Sequence, residues 1–418
     1  MNEEIFNNLP YLKDEDKTYL IENRDCDIES FIKEKYNEMF LKWNKEYPMF
    51  NIPSGMISIS IDGNTKYINV GSNSYDENTI FDIASMSKLY TEFILFGVLN
   101  DYNLSLDMSI KDLVPFYESI SDLTLMDLIS FNNKYLTTID MRECKNITEG
   151  KKALRTAYIV PENKGKYLYT DVPIMILTDI LEEYTKMDYK SLFKKYILDK
   201  YDLHDTYLEL SDDDLNRYVS INGKYVNDPK ANIFGGYYGH AGVKATSKDY
   251  IKFLNNIFSS EYDKRLFVEE SLTLNEDNKR AINKARIGNF NLVVPTYPVD
   301  GYQYSSLASD NLPKCGFAVQ GSVRCQGETC VFNINEENHI VSISVFLDLF
   351  TQLDNAHKYE EVSGKKITNV KETDLGRIQM VDVRSILPYK GIYKELLNTV
   401  GQARIIELNK LLTKEKMI

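Results

Sequence analysis

TIFDIASMSKLYTEFILFGVL, residues 79–99, joins a short apolar stretch to a helix that is apolar on nearly every side. Ile80, Phe81 and Ile83 lead into Ala84-Ser85, and Leu89, Phe93, Ile94, Leu95, Phe96, Val98 and Leu99 follow. A helix with no polar face has to be buried. The segment is therefore expected at the centre of the fold, with Ser85 in its first turn and Lys88 one turn on, on the same face. Spacing alone is weak ground, because Ser30–Lys33, Ser191–Lys194 and Ser363–Lys366 repeat it. Ser85 is set apart by the buried helix that follows it.

A serine hydroxyl becomes a nucleophile when a nearby base takes its proton. Lysine serves as that base if burial, neighbouring positive charge or a helix N-terminus destabilises its ammonium form. The first turn of a buried helix offers at least two of these. The plain alternative is that Ser85 caps the helix and Lys88 tethers a loop. GKYLYTDVPIMILTDILEEYT (165–185) adds Tyr169-Thr170-Asp171 just before Pro173 and a second apolar helix. A tyrosine beside a lysine can relay protons to a leaving group. Asp171 alternatively caps this helix, with Pro173 in its first turn.

Working outward, MISISID (56–62) and KYINVG (66–71) alternate as strands around the turn signal Asp62-Gly63-Asn64. ETCVFNI (328–334) and HIVSISVFL (339–347) do the same around NEEN (335–338). From about 85 to 285 the chain reads as mainly helical. Residues 31–43 place Phe31, Tyr36, Phe40 and Trp43 near helical spacing, and the tail after about 370 reads as helical again. The expected architecture is α/β (α+β): an antiparallel sheet from both ends of the core, flanked by helices. Its boundaries are a helical extension at 1–50, a core at 51–348 and a helical extension at 349–418. Within the core the sheet comes from about 55–71 and 317–347, around a helical insertion at about 85–310.

The 418 residues carry 49 Lys+Arg against 62 Asp+Glu, a net charge of −13, which disfavours nucleic-acid or anionic-membrane binding. Four histidines leave little room for an all-histidine metal site, whereas 30 tyrosines supply hydroxyls. No window approaches the roughly 20 apolar residues of a membrane span. The N-terminus is acidic where a secretory leader is basic, so a cytoplasmic protein is expected, or an extracytoplasmic one if an export segment was removed. Cys26, Cys144, Cys315, Cys325 and Cys330 are odd in number and form no C-x-x-C pair. Reduced buried thiols are expected, the alternative being a Cys325–Cys330 bridge across a hairpin.

Taken together, these segments resemble the serine β-lactamase and penicillin-binding-protein superfamily, in particular its class C-like serine hydrolases, over about residues 50 to 348. TIFDIASMSK resembles the nucleophile segment, which implies Ser85 as nucleophile and Lys88 as general base. NLSLDMSIKDLVPFY (103–117) and LTLMDLISF (123–131) resemble the stretch that follows it. KYLYTD is similar to the Tyr-x-Asn motif in a Tyr-x-Asp form, which implies a proton-shuttle role for Tyr169 and a hydrogen-bonding role for Asp171. Residues 226–253 resemble a glycine-rich family segment around Gly239-His240-Ala241-Gly242, which makes His240 structural rather than a triad member.

The third motif departs from the family. Relatives carry a cation, a small polar residue and a glycine on the edge strand facing the serine. Two stretches compete here, Lys314-Cys315-Gly316 and Val319-Gln320-Gly321, and the second fits the hairpin length better. The resemblance then implies an oxyanion site from the Ser85 and Ser322 amides, lined by Gln320 and Gly321. With Val319 in the cation's place, recognition of a substrate carboxylate is weakened, and a small ester, amide or D-amino-acid-containing substrate is expected. Its acyl group could be cell-wall-derived, since FAVQG resembles the segment of D-alanyl esterase-like and D-peptidase-like members. The implied reaction is acyl transfer to Ser85 without metal or cofactor. The alternative is a catalytically weakened binding or regulatory protein on the same scaffold. The terminal helices are candidates for homo-oligomer assembly.

Overall fold

The computed structural model describes residue 22 and residues 25–50, 52–131, 133–166, 168–219, 226–257, 272–275, 280–287, 290–295, 316–321, 325–334, 337–348, 350–364, 366, 377–379 and 389–415. Helix α1 (Ile28–Glu46) starts at Asp27, whose side chain accepts from the Ser30 amide. Strands β1 (Ser54–Ile61) and β2 (Asn64–Val70) meet at Asp62 and Gly63, with φ of 48° and 84°. Two successive left-handed residues match the strand twist of a two-residue hairpin.

The main sheet needs both ends of the chain. Strands β5 (Gly316–Gly321), β6 (Cys325–Ile334) and β7 (Glu337–Asp348) return from the far end, and the order is β5-β6-β7-β1-β2. All neighbours are antiparallel, with Ser54 opposite Asp348 and Ile61 opposite Val341 at the central join. The Asp62 carboxylate fixes that join by accepting from the Ile340 amide at 2.8 Å and pairing with His339 Nδ1 at 2.7 Å.

The two faces of this sheet are packed differently. Ile57, Ile59, Ile61, Val341, Ile343, Val345 and Leu347 point to one side, where α1 and the C-terminal helix α5 (Tyr389–Glu415) cover them. Ser58, Ser60, Ser342 and Ser344 point to the other and are fully buried. These small residues let helix α4 (Ser247–Ile257) lie close: a Cβ on Gly327 would meet the Tyr250 ring at 2.2 Å. The expected sheet flanked by helices is therefore present. The buried apolar residues described on both terminal helices pack on this chain's own sheet.

Beyond α4 the helical reading gives way. Leu272–Asn275, Arg280–Ile287 and Phe290–Pro295 form a three-stranded antiparallel sheet inside the stretch expected to be helical to about 310. Runs such as Leu292-Val293-Val294 suit a pleated surface better than a helix. In the tail, Phe350–Gln352 pairs with Arg377–Gln379, so that extension is not helical throughout. Cys325 is buried and lies on the same strand as Cys330, so the two do not face each other across a hairpin. Among the described residues no helix is long and apolar enough to cross a membrane.

The C-terminal helix is tied to the sheet by charge as well as by apolar contact. Arg404 Nη1 meets Glu328 Oε1 at 2.6 Å, with both side chains essentially inaccessible. Burial pushes the Glu328 carboxyl up, against the pull of Arg404, to about 7. Removing one partner of such a pair strands a buried charge, whereas replacing both by apolar groups need not cost much. Arg404→Met is expected to lower urea-unfolding stability by about 3–5 kcal/mol, and Glu328→Met with Arg404→Met to recover most of it. A double variant no more stable than the single one would contradict this account.

Candidate active site

Strand β3 (Ile80–Asp82) runs into a single tight turn, Ala84–Met86, before helix α2 (Ser87–Tyr102) begins. Ser85 sits in that turn rather than in the helix itself. Ala84 has φ of 46°, a left-handed conformation that costs a non-glycine residue on the order of 1–3 kcal/mol. The turn is held by side chains on either side. The Ala84 amide donates to Asp82 Oδ1 at 2.8 Å, and Ser87 Oγ donates to the Ala84 carbonyl and accepts from the Val243 amide. Asp82 Oδ2 also accepts from the Asn227 amide, so one carboxylate joins the turn to the 226–246 segment.

Lys88 is the second residue of α2, one turn beyond Ser85, and its ammonium is buried. Its Nζ donates to Ser85 Oγ at 3.1 Å, Asp171 Oδ1 at 2.8 Å and the His240 carbonyl at 2.9 Å. Three N–H groups thus meet three acceptors, and the ammonium form is fully satisfied. The Tyr169 ring centroid is 5.0 Å from the same nitrogen. Tyr169 is placed by Phe131, whose ring lies 5.2 Å from its own and whose carbonyl accepts from the Leu168 amide. Ser85, Lys88, Tyr169 and Asp171 are brought together from segments more than 80 residues apart.

Asp171 immediately precedes helix α3 (Val172–Thr185), with Pro173 at its start, but its side chain makes no capping bond. Instead its two oxygens are divided between two cations, Lys88 on Oδ1 and Lys230 on Oδ2 at 2.6 Å. Burial would raise the Asp171 carboxyl; Lys88, His240 and Lys230 outweigh it and hold it well below the usual carboxylate range. For Lys88 the balance runs against the sequence expectation. Burial pulls its ammonium down, but the Asp171 charge and the Tyr169 phenol more than compensate, and Lys88 is held above the ordinary lysine range.

Residues around this core were not legible from motif spacing. Thr91, one turn beyond Lys88, donates to the Gly239 carbonyl at 2.7 Å and pairs with the Tyr189 hydroxyl at 2.9 Å. Those contacts set the peptide whose next carbonyl faces Lys88. Gly239 itself admits no side chain, because a Cβ would fall 1.9 Å from Thr178 Oγ1. His240 is fully buried, and its Nε2 meets Asp228 Oδ1 at 3.1 Å; only its backbone carbonyl reaches Lys88. Donor atoms of Asp171, Asp228 and His240 lie within 4.8 Å of one another, a spacing a metal ion could use. Both Asp171 oxygens, however, are already held by ammonium groups.

Strand β5 contains Gln320 and Gly321 and forms one edge of the main sheet among the described residues, beside the Ser85 turn. Gly321 pairs with Cys325, whose thiol donates to the Asp82 carbonyl. Gly316, at the opposite end, pairs with Cys330. At about 3.4 Å per residue the two glycines are roughly 17 Å apart. Lys314, Cys315 and Ser322 lie outside the described residues.

The profile of the Beta-lactamase family matches residues 46–343. Among curated proteins, a teichoic acid D-alanine hydrolase of Staphylococcus aureus is 22% identical over 259 residues, covering 59% of this chain and 65% of that protein. The match thus spans just under two thirds of the relative's length. A β-lactamase from Sulfitobacter sp. EE-36 superposes with a TM-score of 0.54 at 15% identity, over 93% of this chain and all of that one. A β-lactamase/D-alanine carboxypeptidase from Pseudomonas syringae gives 0.52 at 18% identity, over 75% of this chain and 93% of that one.

The charge balance at Lys88 can be tested without reference to any reaction. Asp171→Asn removes the nearest negative charge while leaving burial and Lys230 in place, so Lys88 is expected to lose its proton more easily. An opposite charge at this distance is worth roughly one to three pH units. Nζ-detected NMR of lysine-labelled protein should show wild-type Lys88 charged to the alkaline limit of folding, and the variant titrating below the ordinary value of about 10.4. An unchanged Lys88 signal in Asp171→Asn would refute the assignment.

Proposed function

The chain belongs to the beta-lactamase family, and from that premise we propose that it is a serine hydrolase that forms an acyl-enzyme on Ser85. The observation that carries the reading is the set of partners around Lys88 Nζ. Of its three hydrogen-bonded partners, the Asp171 carboxylate and the His240 carbonyl can only accept. Ser85 alone among them has a proton to give. Once Lys88 loses a proton, its lone pair therefore has one productive direction, toward the Ser85 hydroxyl.

In the proposed sequence Ser85 Oγ bonds to the acyl carbon while its proton passes to Lys88. Tyr169, beside Lys88, relays that proton to the departing oxygen or nitrogen as its bond to the acyl carbon breaks. A water molecule then attacks the acyl carbon, gives its proton back through the same pair, and Ser85 leaves protonated. The Ser85 amide supplies one half of the oxyanion site, and the amide after Gly321, at Ser322, supplies the other. The pairing of Gly321 with Cys325, next to Asp82, favours Val319-Gln320-Gly321 over Lys314-Cys315-Gly316 as the third motif.

Val319 brings no side-chain cation to the edge strand, so the proposed substrate is a small ester, amide or D-amino-acid derivative that needs no carboxylate anchor. The named activity of the Staphylococcus aureus relative on D-alanine of teichoic acid is compatible with an ester of this kind. The firmly charged Lys88 also favours a second reading, a penicillin-binding-like protein whose catalysis is weakened.

A fluorophosphonate probe separates the two. Labelling is expected in wild type and absent in Ser85→Ala, with Lys88→Ala slower by on the order of 100-fold or more. Because Lys88 works as base only after deprotonation, and its ammonium is held up, the labelling rate should climb with pH across the neutral and alkaline range. A well-folded wild type that never labels, and that hydrolyses no D-alanyl ester, amide or nitrophenyl ester, would leave only the second reading.

A further inference from the structure

The serine–lysine–tyrosine reading leaves a cation of the site, Lys230, unused. Lys230 lies on the short helix Pro229–Ile233, in a segment whose sequence carries no family motif beyond its glycines. Its ammonium holds the outer oxygen of Asp171 at 2.6 Å, while Lys88 holds the inner one at 2.8 Å. The helix itself is fixed to the site. Asp228, its N-cap, accepts from the Lys230 and Ala231 amides and from the buried His240 ring, whose own carbonyl faces Lys88. Lys230 is thus an element of the site by three routes: through Asp171, through Asp228, and through the peptide at His240.

We propose that Lys230 is a positioning residue for the Ser85–Lys88 pair, supplying from behind Asp171 the positive charge that the edge strand lacks at Val319. The proposal rests on the serine-hydrolase reading and extends it. Asp171 opposes base function because its negative charge stabilises the Lys88 ammonium. A cation on its other oxygen cancels much of that charge and repels the Lys88 ammonium directly; the two lysines indeed disfavour each other's charge. It also fixes the carboxylate so that Oδ1 stays on Lys88. The other groups facing this pair are Glu92 on α2, the Tyr169 phenol, and the Asp228–His240 pair. Glu92 is buried, and burial pushes its carboxyl well up against the pull of Lys88.

The sign follows directly. Removing the Lys230 charge makes Lys88 harder to deprotonate, so acylation of Ser85 needs higher pH. In full-length protein, Lys230→Met is expected to slow fluorophosphonate labelling about tenfold at a given pH. Raising the pH by about one unit should restore the wild-type rate, and Lys230→Arg should stay within about threefold of wild type. A merely structural role would be rescued by neither. In the Asp171→Asn background, where the Lys88 titration becomes accessible, adding Lys230→Met should move the Lys88 Nζ midpoint upward by about one pH unit. That NMR arm needs no turnover. If it shifts while no variant labels, the hydrolase reading fails and the role of Lys230 in setting the Lys88 charge stands. If labelling occurs but the midpoint does not move, the Lys230 proposal is overturned and the hydrolase reading stands. Lys230→Gln repeats the measurement should the methionine variant fail to fold.

Discussion

The antiparallel pairing of β1 with β7 is the constraint on which every other element depends. It joins Ile61 to Val341, 280 positions apart, and eight consecutive residue pairs share it. Closing a flexible loop of that length costs about 5 kcal/mol beyond a constant, which two strands alone do not repay. Repayment comes from both faces: large aliphatic side chains under the terminal helices on one, and serines under α4 on the other. The short strand β3 pairs antiparallel with β4 (Lys244–Thr246), which leads directly into α4. The Ser85 turn therefore inherits its position from the sheet through α4 and through the Cys325–Asp82 contact.

Within that frame the site is a contest between burial and charge. A lysine as enclosed as Lys88 would be a weak cation in apolar surroundings, and elsewhere in this protein one is. Lys244 is comparably buried and donates to two carbonyls, and there burial wins, pulling the ammonium down to about 8. Lys88 differs chiefly in the carboxylate at 2.8 Å. An asparagine in that place would keep the hydrogen bond and drop the charge. Asp171 therefore changes the proton affinity of the site while its geometry is kept.

Much of this architecture was legible in the sequence, and the failures have physical causes. The apolar run from Leu89 to Leu99 had to be buried, and Ser85, Lys88, Tyr169 and Asp171 do converge. Period-two alternation located β1 and β7 but not the fate of their serines, because alternation reports two different faces without saying that one is wet. Ser58 and Ser60 are as buried as their isoleucine neighbours. The strands between 272 and 295 were missed because short β-branched runs between charged residues satisfy a loose helical count as well. Lys230 escaped because its partner Asp171 is 59 positions away and no local pattern ties the two. The expected destabilisation of Lys88 is reversed by the Asp171 charge together with the Tyr169 phenol, an effect of charge that motif spacing does not report.

The ends of the main sheet have a consequence for how the protein is made. Strand β1 leaves the ribosome long before β7, which pairs with it, and before β5, which flanks the Ser85 turn. At about 5–20 residues per second, some 15–60 s separate Ile61 from Val341 during synthesis. Through that interval the isoleucines of β1 have neither their partner strand nor the C-terminal helix that covers them. The nascent chain therefore carries an exposed apolar hairpin and an incomplete Ser85 site until its last quarter is translated. Covering of that hairpin and assembly of the Ser85 turn with its flanking strand thereby wait on the same late event.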